Sequence, residues 1–308
     1  MKRRALPLLG VSIFLHIIAL PADIDQPEAV EFIYPNRLMW SISGKGIDSP
    51  SYLFGTIHQV CPEDFVIFAQ FCTDEFKLYN PLEKKLLETK QLVLEVNTYD
   101  PYFWRGMQSV MYLEGGMTLH NVLTRDQYKL VEGFFLDSLG INIEHYIHVR
   151  PFFLVSEIYP HILGCKPRSY ESYLADIAME NRVGITGIES IDDQIALFEK
   201  IKLEDEVYEL IATIEKYYEV REQFREMVAF YRKRDLKSVR SRPEEEPEEQ
   251  IYEDAGFITE RNLEWLPLMI EMIHEKPVFF AFGAAHLPGE EGLVNLLRGE
   301  GYRVEPVF

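Results

Sequence analysis

Hydrophobic positions along this chain fall into two patterns. Short unbroken runs, V-F-F-A-F at 278–282, Y-L-F at 52–54 and L-V-L at 92–94, are bounded by glycine, proline or polar residues. Runs of that kind read as strands buried on both faces. Between them, apolar residues recur every three or four positions, the period of a helix with one buried face. The predicted order opens with a hairpin made of residues 38–42 and 52–54 across the turn-rich connector 44–50. A helix start follows at Pro62-Glu63-Asp64, then a helix over 81–90 and a strand over 91–97. Residues 101–164 read as helical, with Thr124 opening one helix and Gly140 stopping it. A helix over 170–181 leads into a strand over 182–189. Residues 203–236 read as one long charged helix with Val207, Leu210, Ile214 and Phe224 on its apolar side, broken by the acidic run P-E-E-E-P-E-E at 243–249, a solvated loop. A helix over 259–274, the strand at 278, a helix over 293–298 and a last strand at 302–304 complete the chain. Strands separated by helical stretches indicate an α/β domain with a mixed central sheet, flanking helices and helical insertions.

Two of the strands end alike. G-T-I-H at 55–58 and G-A-A-H at 283–286 each place a histidine three residues beyond a strand-end glycine. Ligand sites in open α/β sheets lie beyond the carboxyl ends of the strands, where glycine permits a sharp turn or a close approach. Strands of this build lying side by side bring His58 and His286 within reach of one ion, and imidazole is the commonest metal-binding side chain. A single such histidine is better read as a satisfied polar residue; the repetition favours a shared site. Glu95 interrupts the apolar strand L-V-L-E-V, where a carboxylate is costly without a partner. It reads as a third metal ligand or a general base, against an edge-strand glutamate facing solvent. Glu189 repeats that logic at the end of the strand over 182–189. Ile258, Leu263, Trp265 and Leu266 can anchor the helix that carries Arg261, which is expected to face the crevice, against an arginine paired with a surface acid. Glu144 with His145 and His148, and Glu271 with His274, are rival metal candidates, but neither set is repeated and both read as surface or core residues. Met107, Met111 and Met117 read as gap-filling core residues.

G-T-I-H at 55–58, L-V-L-E-V at 92–96, G-I-E-S at 187–190, I-T-E-R-N-L-E-W-L at 258–266 and the closing stretch 282–307 resemble, in order, the TraB/PrgY/GumN family, which includes the TIKI proteins. The resemblance implies an erythromycin-esterase/ChaN-like fold and a metal-dependent hydrolase, a protease in the TIKI branch. On this chain it implies His58, His286 and Glu95 as ligands of a divalent ion, Mn, Co or Zn. Glu189 or Glu95, whichever is not a ligand, would take a proton, and Arg261 would stabilise an oxyanion. Gln194 also fits the family pattern. Peptide or amide bonds as substrate follow from the TIKI relation alone, and the expected partner is a peptide or small-molecule substrate. A second reading is a non-catalytic binding or sequestering protein for a peptide or haem: a ChaN-like fold can hold haem, one branch of the family is associated with peptide pheromone control, and two inward histidines serve haem as well as an ion.

Composition narrows the partners. With 308 residues, 47% of them hydrophobic and 26% charged, the chain has the make-up of an ordinary globular protein. A net charge of -19 argues against nucleic acid or an anionic membrane surface, both of which need clustered Lys and Arg. Met1-Lys2-Arg3-Arg4, the apolar stretch 5–20 and Pro21-Ala22-Asp23 have the layout of a secretory signal peptide over 1–22, with the mature single domain over 23–308. An extracytoplasmic protein, secreted or periplasmic, is therefore expected, without a membrane span in the mature chain. Cys61 and Cys72 could close a short loop after His58, leaving Cys165 odd; three buried thiols is the alternative. No G-x-G-x-x-G, Walker loop, G-x-S-x-G or H-E-x-x-H occurs, which removes the dinucleotide, phosphate-loop, serine-hydrolase and zincin readings.

Overall fold

A computed structural model of the chain describes residues 37–62, 80–236, 238 and 256–307. The expected leader, the helix start after Pro62, Cys72 and the acidic run 243–249 lie outside the described residues. The strands are β1 (Met39–Ser43), β2 (Ser51–Thr56), β3 (Gln91–Val96), β4 (Gly184–Glu189), β5 (Val278–Gly283) and β6 (Arg303–Pro306), in one sheet of order β4-β3-β5-β2-β1-β6. β1 runs antiparallel to β2 and to β6, whereas β2, β5, β3 and β4 are parallel neighbours. The mixed sheet and its opening hairpin thus follow the hydrophobic pattern. β2 is buried along its whole length and β5 up to its last residue, because helices cover both faces of the sheet there; the edge strands β4 and β6 are the partly exposed ones.

The helices in chain order are α1 (Pro81–Leu87), α2 (Phe103–Met111), α3 (Leu119–Val122), α4 (Arg125–Leu139), α5 (Pro151–Leu163) and α6 (Tyr170–Glu180), followed by α7 (Ile191–Glu199), α8 (Leu203–Glu215), α9 (Tyr217–Arg232), α10 (Thr259–Glu275) and α11 (Leu293–Gly299). Thr124 opens α4 through a reciprocal capping box with Gln127, and Gly140 ends it in the left-handed conformation with φ 69°. The single long helix expected over 203–236 is instead a pair. Lys216, at φ -97° and ψ 20°, breaks the helical path between α8 and α9. The turn lets α8 pack on α4 and α5 while α9 also reaches α5, where Phe224 meets Tyr159 at 5.4 Å between ring centres. One straight helix could not bring both halves of its apolar stripe onto that surface. Met107 and Met111 are buried as expected, but Met117 is 37% exposed, because it follows the short turn Glu114–Gly116 at the surface. Among the described residues no helix is long and apolar enough to cross a membrane.

Candidate functional site

The parallel strands set the position of the site. β2 and β5 are neighbours, with Gly55 opposite Phe282 and Thr56 opposite Gly283, so both G-x-x-H segments leave the sheet at the same edge. The two glycines are there for space. A Cβ at Gly55 would lie 3.1 Å from the Cα of Ala284, where the 3-10 turn Ala284–His286 packs onto β2. A Cβ at Gly283 would lie 3.2 Å from Glu95 Oε1 and 3.6 Å from His58 Nε2. Without that Cβ, Glu95 from β3 reaches the Gly283 backbone N–H, which donates to Oε1 at 2.7 Å. His58, Glu95 and His286 therefore border one small space.

Each histidine is held at its Nδ1 by a residue from another helix. Glu171, in the first turn of α6, lies 2.8 Å from His58 Nδ1 through Oε1, and the Thr56 hydroxyl donates to the same oxygen at 2.5 Å. A carboxylate only accepts, so His58 carries its hydrogen on Nδ1 and turns Nε2 to the crevice. Asn262 of α10 donates through Nδ2 to the carbonyls of His286 (3.2 Å) and Glu291 (2.8 Å), which leaves its Oδ1 to face His286 Nδ1 at 2.7 Å. His286 is thereby fixed as the Nδ1–H form, with its ring stacked on Trp265 at 4.5 Å. Burial pulls the His58 imidazolium down, but the charge and hydrogen bond of Glu171, with Glu95 behind it, outweigh that and raise its pKa to about 9. Burial would push Glu171 up; His58 and Thr56 hold it below the ordinary carboxylate value.

The loop that carries His58 is clamped on its far side. Val60 pairs with Arg168 in an antiparallel bridge, and Cys61 is joined to Cys165 by a disulfide. The pairing of Cys61 with Cys72 considered from the sequence is thus replaced by a long-range link, which the fold permits because α5 ends beside the loop; no spacing rule could have indicated it.

Arg261 from α10 lies under the histidines with all five N–H donors engaged. Nε donates to Glu189 Oε1 at 2.7 Å, and Nη2 donates to Glu95 Oε2 at 2.7 Å and to Glu189 Oε2 at 3.0 Å. Nη1 donates to the Phe257 carbonyl at 3.1 Å and lies 3.4 Å from His286 Nε2. Glu189 also accepts from Trp265 Nε1 at 2.6 Å and from Gln194 Nε2, so four donors surround its two oxygens. Burial would raise Glu95, but Arg261, His286, His58 and the Gly283 N–H hold its carboxyl far below the usual range.

The rival histidines are elsewhere. His145 is exposed, His148 Nδ1 faces the Met117 carbonyl at 2.9 Å, Glu144 meets Tyr128 and His120 at the surface, and His274 Nε2 meets the Tyr302 hydroxyl at 2.8 Å. Glu171 was not singled out from the sequence, where an acid early in a helix signals only dipole complementation. Trp265, four residues after Arg261, shares its helix face, and that spacing is the hint available; Asn262, one residue on, does not share that face. Above the strand ends a cleft is lined by Ile57, Phe224, Met227, Tyr231 and Ile258 together with His58, Glu95 and His286.

The residue types fit a divalent ion: two imidazole Nε2 atoms and Glu95 Oε1 share the crevice, each imidazole with its other nitrogen committed, and an ion there would take the place of the proton that His58 Nε2 carries at neutral pH. The spacing is wider than a closed coordination sphere. His286 Nε2 is 3.9 Å from Glu95 Oε1, whereas tetrahedral ligands about 2.0–2.1 Å from one zinc lie about 3.3 Å apart. Among the described residues no group of three or more His, Cys, Asp or Glu side chains is arranged so that it could hold a metal ion without moving.

The sequence model of the TraB/PrgY/gumN family matches residues 38–306. Metalloprotease TIKI1 of Homo sapiens is 24% identical over an alignment covering 88% of this chain and 62% of its own length. Metalloprotease TIKI2 of Xenopus tropicalis is 21% identical, covering 93% of this chain and 63% of its own. Metalloprotease TIKI2 of Danio rerio is 21% identical, covering 88% and 61%. The chain spans about three fifths of the length of these curated relatives. No solved structure matches it.

Proposed function

This chain belongs to the TraB/PrgY/gumN family, and from that premise we propose that it is a metal-dependent hydrolase of peptide or amide bonds. The observation that carries the reading is the unbalanced charge at the strand ends. One guanidinium is shared by two carboxylates, Glu95 and Glu189, directly beneath two imidazole nitrogens that face a cleft. A cation is the natural complement to that set. His58 Nε2, His286 Nε2 and Glu95 Oε1 would hold it, and the ion would polarise a carbonyl and lower the pKa of a bound water towards neutrality. Glu189, surrounded by four donors, has the role of holding Arg261 and not of taking a proton. Arg261 keeps Glu95 ionised and aligned, and with His286 Nε2 committed to an ion one Nη1–H would be left to meet an oxyanion. The apolar lining of the cleft limits water around the reacting bond. Peptide substrates are supported by the names of the TIKI relatives. The Cys61–Cys165 disulfide is in keeping with an oxidising compartment, which supports export of a single domain over 23–308 after loss of the leader.

The test is metal analysis of the purified protein, followed by cleavage of a peptide library with Mn²⁺, Co²⁺ or Zn²⁺ added back. Wild type is expected to bind one of these ions and to need it for cleavage, and His58→Ala and His286→Ala are each expected to lose both properties. Full metal occupancy in both variants, or no ion bound by wild type, would remove the reading.

A further inference from the structure

We infer that Glu171 is the positioning residue of this site, a charged anchor that holds His58 by Nδ1 and makes it the stronger donor of the two histidines. The surroundings of Glu171 are unusual for an acid in the first turn of a helix, which normally lies in water near the helix N-terminus. Its side chain is only 16% exposed, and Oε1 receives both His58 and Thr56. Oε2 is buried and has no partner among the described residues. Keeping a carboxylate there is costly, so its position is held by the rest of the structure. Ser169 caps α6 by accepting from the Ser172 N–H at 2.9 Å, and the neighbouring Tyr170 packs edge-on against Phe54 of β2 at 5.4 Å. On the other side, the Val60–Arg168 bridge and the Cys61–Cys165 disulfide tie the His58 loop to the segment leading into α6. His58 and Glu171 are thus brought together from both ends.

The corresponding partner of His286 is the neutral amide of Asn262. A carboxylate on the distal nitrogen raises the basicity of a metal-bound imidazole, and loss of such a partner typically lowers metal affinity by about 10–100-fold. An amide orients the ring without adding charge. The two G-x-x-H motifs are alike in sequence and unequal in donor strength because different helices stand behind them.

The affinity part of this inference rests on the site being a metal centre; the positioning part does not. Both are tested on the full chain with Glu171→Gln, and with Glu171→Ala if it folds. In chelator-treated wild type, imidazole proton NMR should show a downfield, exchange-protected Nδ1–H for His58 and another for His286. Glu171→Ala should lose the first and keep the second, and Glu171→Gln should move the first upfield. Zn²⁺ titration should then show affinity about 10–100-fold weaker in Glu171→Gln than in wild type. An unchanged His58 resonance in the variants overturns the positioning role, and equal Zn²⁺ affinity overturns the unequal donors. If wild type binds no Zn²⁺ while the His58 resonance still depends on Glu171, the metal reading fails and the positioning role stands.

Discussion

Two arginines in this protein, Arg150 and Arg261, each hold buried carboxylate. Arg150 precedes α5 and donates through Nε and Nη2 to Glu206 of α8, a fully buried carboxylate whose other oxygen accepts from the Phe152 N–H at 3.3 Å. Its remaining donors reach the carbonyls of Val110, Phe198 and Ile201, so one guanidinium ties together the ends of α2 and α7 and the starts of α5 and α8. That cluster holds one charge of each sign, and neither of its members lines the cleft above the strand ends. Burial pushes the Glu206 carboxyl up, against the pull of Arg150. Arg261 answers two carboxylates and lies 3.4 Å from the imidazole of His286, one of the residues that line the cleft. There burial also pushes Glu95 up, but the surrounding positive groups win and hold it down. The same side chain closes the helical region in one place and, in the other, leaves a negative remainder facing a cleft. What separates structure from candidate site is charge balance and access, not the presence of a buried ion pair.

The largest expected effect breaks both clusters. Arg150→Ala and Arg261→Ala each strand buried carboxylate, and each should lower stability by about 3–5 kcal/mol in chemical denaturation. Added divalent ion should restore part of the loss in Arg261→Ala and none in Arg150→Ala; equal behaviour with and without the ion would erase the distinction. Next in size is the disulfide. Replacing Cys61 and Cys165 by serine should cost about 2–4 kcal/mol, since the link closes a long loop, and it should also loosen metal binding, because it anchors the His58 loop. A double variant that melts like wild type would show that the Val60–Arg168 bridge suffices. The smallest effect is on pH. The folded pKa of His58, about 9, lies above its ordinary 6.5, so its contribution to stability is full below about pH 6.5 and is lost as pH rises through 9. Glu171 is shifted below its ordinary 4.5, so its contribution is present above that value and is lost as pH falls through the folded pKa. Melting curves of chelator-treated protein should therefore decline from neutral to alkaline pH more steeply in wild type than in Glu171→Gln. Identical slopes would assign the decline to other groups.

Much of this was legible before any coordinates. The apolar runs identified the central strands, because a strand covered on both faces needs no polar positions. The repeated G-x-x-H and the lone Glu95 in L-V-L-E-V indicated where polar chemistry interrupts that core. Capping chemistry located α4 at both ends, since Thr124 and Gly140 act within a few residues of themselves. The break at Lys216 was not legible, because it depends on which surfaces α8 and α9 must cover. Nor was the choice of Cys165 over Cys72, or of Glu171 as the partner of His58: each joins residues more than 100 positions apart, and local spacing carries no information about such pairs. The role of Arg261 divides the same way. Its helix is readable from periodicity, but of the four expected anchors only Ile258 and Trp265 are buried; Leu266 is half-buried and Leu263 is exposed, because the buried face of the helix continues through Met269 and Ile273. That three of its five donors hold two carboxylates from β3 and β4, while the others meet the Phe257 carbonyl and His286, was decided by strand order, since β4-β3-β5-β2 places Glu189, Glu95, His286 and His58 in succession at one end of the sheet.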